Sequence, residues 1–386
     1  MKQEIISIIA NAREEIFKLS DYMYHNPEAS YKEFNAYNKI INTLKENEFK
    51  IEEHFLEIET AFKATYGEGY PNLCVICEYD AVEDHGHITG HNLLCAISLL
   101  TALGLKRAVE KLKGTITVLG CPGEYFGGAK VTMAKQGVFQ GIDAVLMAHP
   151  DTETSESGTS FATTPLSVTY IGKDGLSFLN EETSSALDGM LLTFNIINSL
   201  NRRFSKKLSI EGVLSKGGET PLLLPKEVTA KFYIRGENST IADYGERELR
   251  DTVAFVEKKL NLSSKIVLYS PPYQELLTNI TLSRLFCHNL KECGIIEVKD
   301  FKSTRASLSL GAVSHKCPSI HPYIGILQEE GAAYGTKEFG STTLTDFAKD
   351  RAEKAACALA LTGLDLIGSE NLLSEVKEEF YHNTKI

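Results

Sequence analysis

Three apolar runs, 72-NLCVICEY-79, 114-GTITVLG-120 and 143-DAVLMAH-149, alternate with helical patterns through residues 1–165. That alternation predicts buried strands of a parallel α/β sheet. Between the first two runs lies NLLCAISLLTALGLKRAVEKL, apolar on most sides at first and amphipathic later, as expected of a buried helix packed on a sheet. The stretch GGAKVTMAKQG reads as a short helix closed by Gly137. The N-terminal stretch has Ile and Leu at helical spacing interrupted by charges, so it reads as an amphipathic first helix rather than a signal peptide.

From about Leu166 the texture changes. PLSVTYIGKD is strand-like, SSALDGMLLTFNIINSL helical, EVTAKFYIRG alternates with period two, ADYGERELRDTVAFVEKKL is a charged amphipathic helix, and SKIVLYS is a further strand. Residues 166–273 therefore read as a small α+β domain with one exposed sheet face, inserted into a larger domain made of 1–165 and 274–386. A chain of 386 residues is too long for one core, which agrees. The last part returns to helix–strand alternation and ends in a long helix from about Thr343.

The formal charge of −11 disfavours a nucleic-acid partner, because phosphate binding needs clustered Lys and Arg. No run approaches the ~20 apolar residues of a membrane span, so no membrane partner is expected. The eight cysteines are scattered through apolar segments and read as reduced thiols of a cytoplasmic protein. Cys74 and Cys77 spell CxxC inside a strand, where residues three apart point to opposite faces, so joint ligation is not expected.

Three segments fall just beyond strand carboxyl ends, where a parallel sheet places ligands. They are 78-EYDAVEDHGHITGHN-92, 121-CPGEYFGGAK-130 and 147-MAHP-150. Together they bring Asp80, His85, His87, His91, Glu124 and His149 to one edge of the fold. With HNPEASYKE, EYDA, GHxxGHN, the P-x-E segment with GGAK, DAVLMAHP, the later GK and ALD, GG…P…YIR, SIHPYIGI and TKEF, the chain resembles the zinc-dependent aminoacylase/carboxypeptidase family (peptidase family "M-twenty"). The likeness is strongest to its amidohydrolase branch, which includes aminobenzoyl-glutamate hydrolases and β-alanyl-lysine-type dipeptidases. It implies a mostly parallel mixed sheet flanked by helices, two zinc ions, and an inserted α+β lid through which the protein forms a homodimer.

The same resemblance exposes departures. Where relatives read Gly-His-Ala-Cys-Gly-His-Asn, with the Cys bridging two metals, this chain has Thr89, while His91 stands at a ligand position. The family's Pro-Ala-Glu-Glu supplies a general base and a ligand; here Glu124 keeps the base and Tyr125 takes the ligand position. His149 matches a further ligand, and the last one is replaced by Gly335 or, with a one-residue slip, Tyr334. In the lid, Leu176 and Leu222 stand where relatives have His and Asn, and Leu308 and Ser309 replace a polar pair near a carboxylate site.

Zinc sites use three or four protein ligands with thiolate, imidazole or carboxylate donors. With His91 and His149 as the residual ligand positions, no metal cofactor is expected unless His85 or His87, which otherwise read as solvated loop histidines, rebuilds a zinc or manganese site. A site without dications should also shed carboxylates, and Tyr125 in place of Glu does so. Glu124 should then have a raised pKa, with Lys130 the nearest cation in sequence to offset it.

Three functions follow as alternatives. The first is a repurposed enzyme acting on a small acyl-amino-acid or dipeptide-like molecule by metal-independent acid/base chemistry. Its catalytic group would be Glu124, Asp80, His91, His149 and Tyr125, with Thr89, Asn92, Arg235 and Ser309 binding substrate. The second is a silent pseudo-hydrolase that binds a ligand or partner subunit. The third is an amide hydrolase with a rebuilt single-metal site.

Overall fold

The computed structural model describes residues 1–179, 184–204, 206–329 and 331–384. The chain divides into two compact units. One comprises Met1–Thr159, Leu277–Ser303 and Ala312–Ile386; the other comprises Ser160–Leu276 and Thr304–Gly311. The short segment Thr304–Gly311, which the sequence pattern assigns to the larger domain, thus groups with the smaller unit.

In the larger unit, β1 (Lys50–Glu53), β2 (Phe62–Tyr66), β3 (Asn72–Cys77), β4 (Thr115–Gly120) and β5 (Ala144–Leu146) form a sheet in the order β1-β2-β4-β3-β5. β3 is parallel to both β4 and β5, whereas β1–β2 and β2–β4 are antiparallel. The three apolar runs of the sequence are the parallel strands, and nearly every residue in them is buried. β6 (His149–Asp151) pairs in parallel with the strand Tyr323–Gly325, with Tyr323 opposite His149.

The helices that cover this sheet are α1 (Lys2–His25), α2 (Phe34–Glu46), α3 (His91–Leu112) and α4 (Ala129–Lys135), followed by Ile280–Glu292 and Asp346–Gly368. α3 is long and apolar enough by composition to cross a membrane, yet 89% of its most apolar window lies inside the protein. It packs against α1 and Asp346–Gly368. Glycines allow that close approach: a Cβ on Gly363 would lie 2.4 Å from Leu105, and one on Gly104 2.8 Å from Ile9. α4 ends near Gly137, whose φ of +78° favours glycine.

In the smaller unit, the strands Leu208–Lys216, Glu227–Gly236, Ala162–Ile171 and Ser263–Leu268 form an antiparallel sheet in that order. The helices Ala186–Asn201 and Ser239–Leu260 pack on it. Glu227–Gly236 buries every second residue, Val228, Ala230, Phe232 and Ile234, as its period-two pattern requires. Ser185 and Asp188 form a capping box at the first helix, and Asn238 caps the second by accepting from the Ile241 N–H. The architecture is a mixed α/β fold with a parallel-containing sheet flanked by helices.

Candidate active site

β3 delivers Glu78 and Asp80 to its carboxyl end, and the loop that follows returns to start α3 at His91. Gly90, immediately before His91, has φ +84°, and a Cβ there would meet the Pro150 ring at 3.1 Å. A glycine is therefore what lets the helix start against the β6 segment. β4 leads through Cys121 and Pro122 into a tight turn at Glu124–Phe126, entered through Gly123 with φ +78°. A Cβ on Gly123 would lie 2.3 Å from the Tyr31 ring, and its N–H donates to Glu33 at 3.0 Å. β6 supplies His149.

These strand ends converge. The His91 Nδ1 faces Asp80 Oδ1 at 2.9 Å and the Asp80 carbonyl at 3.1 Å. Its Nε2 lies 3.2 Å from Glu78 Oε2 and 3.3 Å from the Tyr125 hydroxyl. The Tyr125 ring stacks on His91 with centroids 4.9 Å apart and planes 13° apart. Its hydroxyl makes a short hydrogen bond with Thr89 Oγ1, and its backbone N–H donates to Asp80 Oδ2 at 3.3 Å. The buried Lys130 ammonium bridges Glu78 Oε1 at 2.5 Å and Glu124 Oε2 at 2.8 Å. It is the partner that the sequence suggested for Glu124.

Two further residues belong here that sequence reasoning did not single out. Glu78 is buried at the centre of the cluster. His321 is 2% exposed and stacks on His149 with centroids 5.3 Å apart and planes 27° apart, its Nδ1 without a hydrogen-bond partner. The parallel pairing of β6 with Tyr323–Gly325 sets two His-Pro pairs, His149-Pro150 and His321-Pro322, side by side. That repeated dipeptide was the available signal for His321. Glu78 opens the EYDA motif and was passed over because it reads as the polar end of an apolar run.

Electrostatics distinguish the histidines. Burial would lower the His91 pKa, but its hydrogen bond to Asp80 and the charge of Glu78 raise it to about 8, so the imidazolium form prevails at neutral pH. Burial, reinforced by the charge of His91, lowers His149 to about 4. Burial likewise takes His321 to about 3, with His149 adding to it. Burial opposes ionisation of Glu78, yet Lys130, His91 and His149 outweigh it and hold the carboxyl at about 2. The buried Tyr125 phenol is pushed well above its ordinary value by burial and by Asp80, so it stays protonated.

Among the described residues, one group of three or more His, Cys, Asp or Glu side chains could hold a metal ion: Glu78, His91 and His149, whose donor atoms lie within 4.8 Å of one another. Neither His85 nor His87, the alternative donors considered from sequence, joins it. His85 is exposed and its Nδ1 meets the Glu83 carbonyl at 2.9 Å. His87 is 2% exposed rather than solvated, and burial and then His91 lower its pKa to about 3. Both line a surface cavity with Tyr24, Glu28 and Lys337, and its lining includes none of the three donors. The donor that joins His91 and His149 is Glu78.

Asn92, picked from sequence as a substrate contact, is buried and donates to Thr343 Oγ1 at 3.0 Å and Ser20 Oγ at 3.2 Å, so its amide is engaged with the helical scaffold. Asp80 orients His91 and accepts from Ser30 at 2.8 Å. Arg235 and Ser309 belong to the smaller unit. There Arg235 reaches Glu211 at 3.2 Å and Ser307 at 3.3 Å, and Ser309 is fully buried. Tyr334 stands 6.2 Å from His149, ring to ring.

Carboxylates and imidazoles thus gather beyond the carboxyl ends of β3, β4 and β5 on a mixed α/β sheet. No protein-family model matches the chain. It is 26% identical to the Xaa-Arg dipeptidase of Mus musculus over 399 residues, covering 98% of this chain and 92% of that protein. It is 27% identical to one of the subunits of the p-aminobenzoyl-glutamate hydrolase of Escherichia coli strain K12, over 62% of this chain and 55% of that protein. A dinuclear metal-binding peptidase of the M20 family from Bacillus subtilis superposes with a TM-score of 0.67 at 14% identity, over 92% of this chain and 99% of that one. The chain is thus similar over nearly its whole length to the Xaa-Arg dipeptidase and shares the fold of the M20-family peptidase.

Proposed function

We propose that this protein acts on a small acyl-amino-acid or dipeptide-like molecule by acid/base chemistry carried by its own side chains, without a two-ion centre. The carrying observation is the saturation of His91: Asp80 takes one ring nitrogen, while Glu78 and Tyr125 compete for the other. Two-metal centres hold their ions ~3.5–4 Å apart and share bridging donors. Three donors supply the protein ligands of one ion at most. The relatives named for Xaa-Arg dipeptides and for p-aminobenzoyl-glutamate support the substrate class.

In this reading Glu124 is the general base, held in place by Lys130 at 2.8 Å. His91, protonated at neutral pH, is the general acid. The hydrogen-bonded Tyr125–Thr89 hydroxyl pair leaves one O–H to donate to developing negative charge on the substrate. Groups of this kind contribute ~10²–10⁴-fold each. That suits an activated substrate, an elimination, a cyclisation or an acyl transfer better than an unactivated peptide bond. Glu124→Gln is expected to lower kcat by ~10²–10⁴-fold with the fold intact, and turnover should survive treatment with chelator. An unchanged rate in Glu124→Gln, measured on a panel of N-acyl amino acids and dipeptides, would remove the general-base assignment.

A second reading has one specific observation in its favour. Glu78, His91 and His149 would supply the three protein ligands of a single catalytic ion, which would serve as a Lewis acid. Turnover that disappears with chelator and returns with zinc or manganese selects it. We further infer a homodimer formed through the smaller unit, from the family likeness, and a cytoplasmic setting, from eight free cysteines.

A further inference from the structure

We propose that Tyr125 is the group that closes the Glu78–His91–His149 cluster to a divalent cation, by competing for the one ring nitrogen of His91 that could bind it. The inference rests on the metal-free reading above and names the residue responsible.

Metal binding needs the neutral imidazole, which has one lone pair, so His91 must first give up its second proton. With the Nδ1 side committed to Asp80, Nε2 is the nitrogen left for a metal, and metallated histidines are commonly oriented in this way by a carboxylate behind them. The Tyr125 hydroxyl lies 3.3 Å from that atom. Tyr125 is fixed there in three independent ways: its ring stacks on His91, its hydroxyl bonds to Thr89, and its backbone N–H bonds to Asp80. Swinging the side chain away would break the first two. Nor does the phenol substitute as a ligand, since zinc takes thiolate, imidazole or carboxylate donors and a phenol ordinarily ionises only near pH ~10.

Replacing the phenol with a carboxylate reverses both effects, because it frees the lone pair and adds a fourth donor. The test is a metal count. Full-length wild type, Tyr125→Glu, Tyr125→Phe and Tyr125→Glu/His91→Ala are stripped with chelator, dialysed against Zn²⁺ and separately Mn²⁺, and assayed for bound metal and thermal midpoint. The expected result is a substoichiometric wild type, one ion per chain in Tyr125→Glu bound on the order of 100-fold more tightly, and loss of that gain in the double variant. Tyr125→Phe, which frees the lone pair without adding a donor, should fall between.

Wild type that binds one ion per chain as tightly as Tyr125→Glu overturns the proposal. So does a Tyr125→Glu protein with native far-UV dichroism that gains no metal. If the new carboxylate prevents folding, Tyr125→His provides an uncharged donor at the same place and carries the same expectation. The count is independent of turnover. Chelator-sensitive catalysis in wild type would defeat the metal-free function, whereas a wild type that is active in chelator but gains nothing in the variants would defeat only the role of Tyr125.

Discussion

In chelator, lowering the pH from 7 to 5 is expected to cost the larger unit about 3 kcal/mol of stability. Three buried histidines drive the loss. His87, His149 and His321 have pKa values lowered to about 3, 4 and 3, chiefly by burial, so they stay neutral in the fold. In the unfolded chain each takes up a proton near pH 6.5. A lowered folded pKa gives stability that is present above the unfolded pKa and is lost as pH falls towards the folded one. By pH 5 each histidine has forfeited about 2 kcal/mol.

Two groups oppose this. Glu33, buried beside Asp80, is raised to about 7, and His91 is raised to about 8. A raised folded pKa gives stability that is complete below the unfolded pKa and fades as pH climbs through the folded one. Acidification therefore restores about 2 kcal/mol through Glu33 and about 1 kcal/mol through His91. Urea titrations followed by far-UV dichroism at pH 7, 6 and 5 check the balance. His321→Phe should flatten the profile by about 2 kcal/mol. A protein equally stable at pH 5 and 7, or more stable at pH 5, would show that these histidines are not held neutral.

The strand framework was legible because burial on both faces leaves an unbroken apolar run, and NLCVICEY, GTITVLG and DAVLMAH each contain one. The strand-end rule then located His91, Glu124 and His149, which the structure does gather. What escaped depends on pairing across the chain. His321 reaches His149 through a parallel pairing of segments separated by the whole smaller unit. Glu78 becomes a possible ligand only through the direction its side chain takes beyond β3. His87 shows the converse error: polar neighbours in HGHITGHN suggest solvent, while the packing of Gly340 against the His87 backbone closes that loop over. Sequence spacing says which residues sit on one loop, and burial within that loop is set by what packs on it from far away.

Lys130 carries the second large effect: Lys130→Met is expected to destabilise the larger unit by about 3–5 kcal/mol. Its ammonium is fully buried, and burial alone would depress its pKa, but Glu124 and Glu78 hold it well above the ordinary lysine value. The cost comes from what the substitution leaves behind. Two carboxylates at 2.5 Å and 2.8 Å from the ammonium lose their shared counter-ion, and Glu78, buried at 3% side-chain exposure, is left facing His91 and His149. Removing a charge together with its partner is far milder than removing one alone. Lys130→Met/Glu78→Gln should therefore recover part of the loss, with a coupling of about 0.5–3 kcal/mol between the two sites. The single variant should also regain stability on mild acidification relative to wild type, because its orphaned carboxylates take up protons that the wild-type pair rejects. Urea unfolding of the two single variants and the double variant measures the cycle. A loss below about 1 kcal/mol in Lys130→Met would mean that water reaches the pair, and that the Lys130 contact does not anchor the proposed base Glu124.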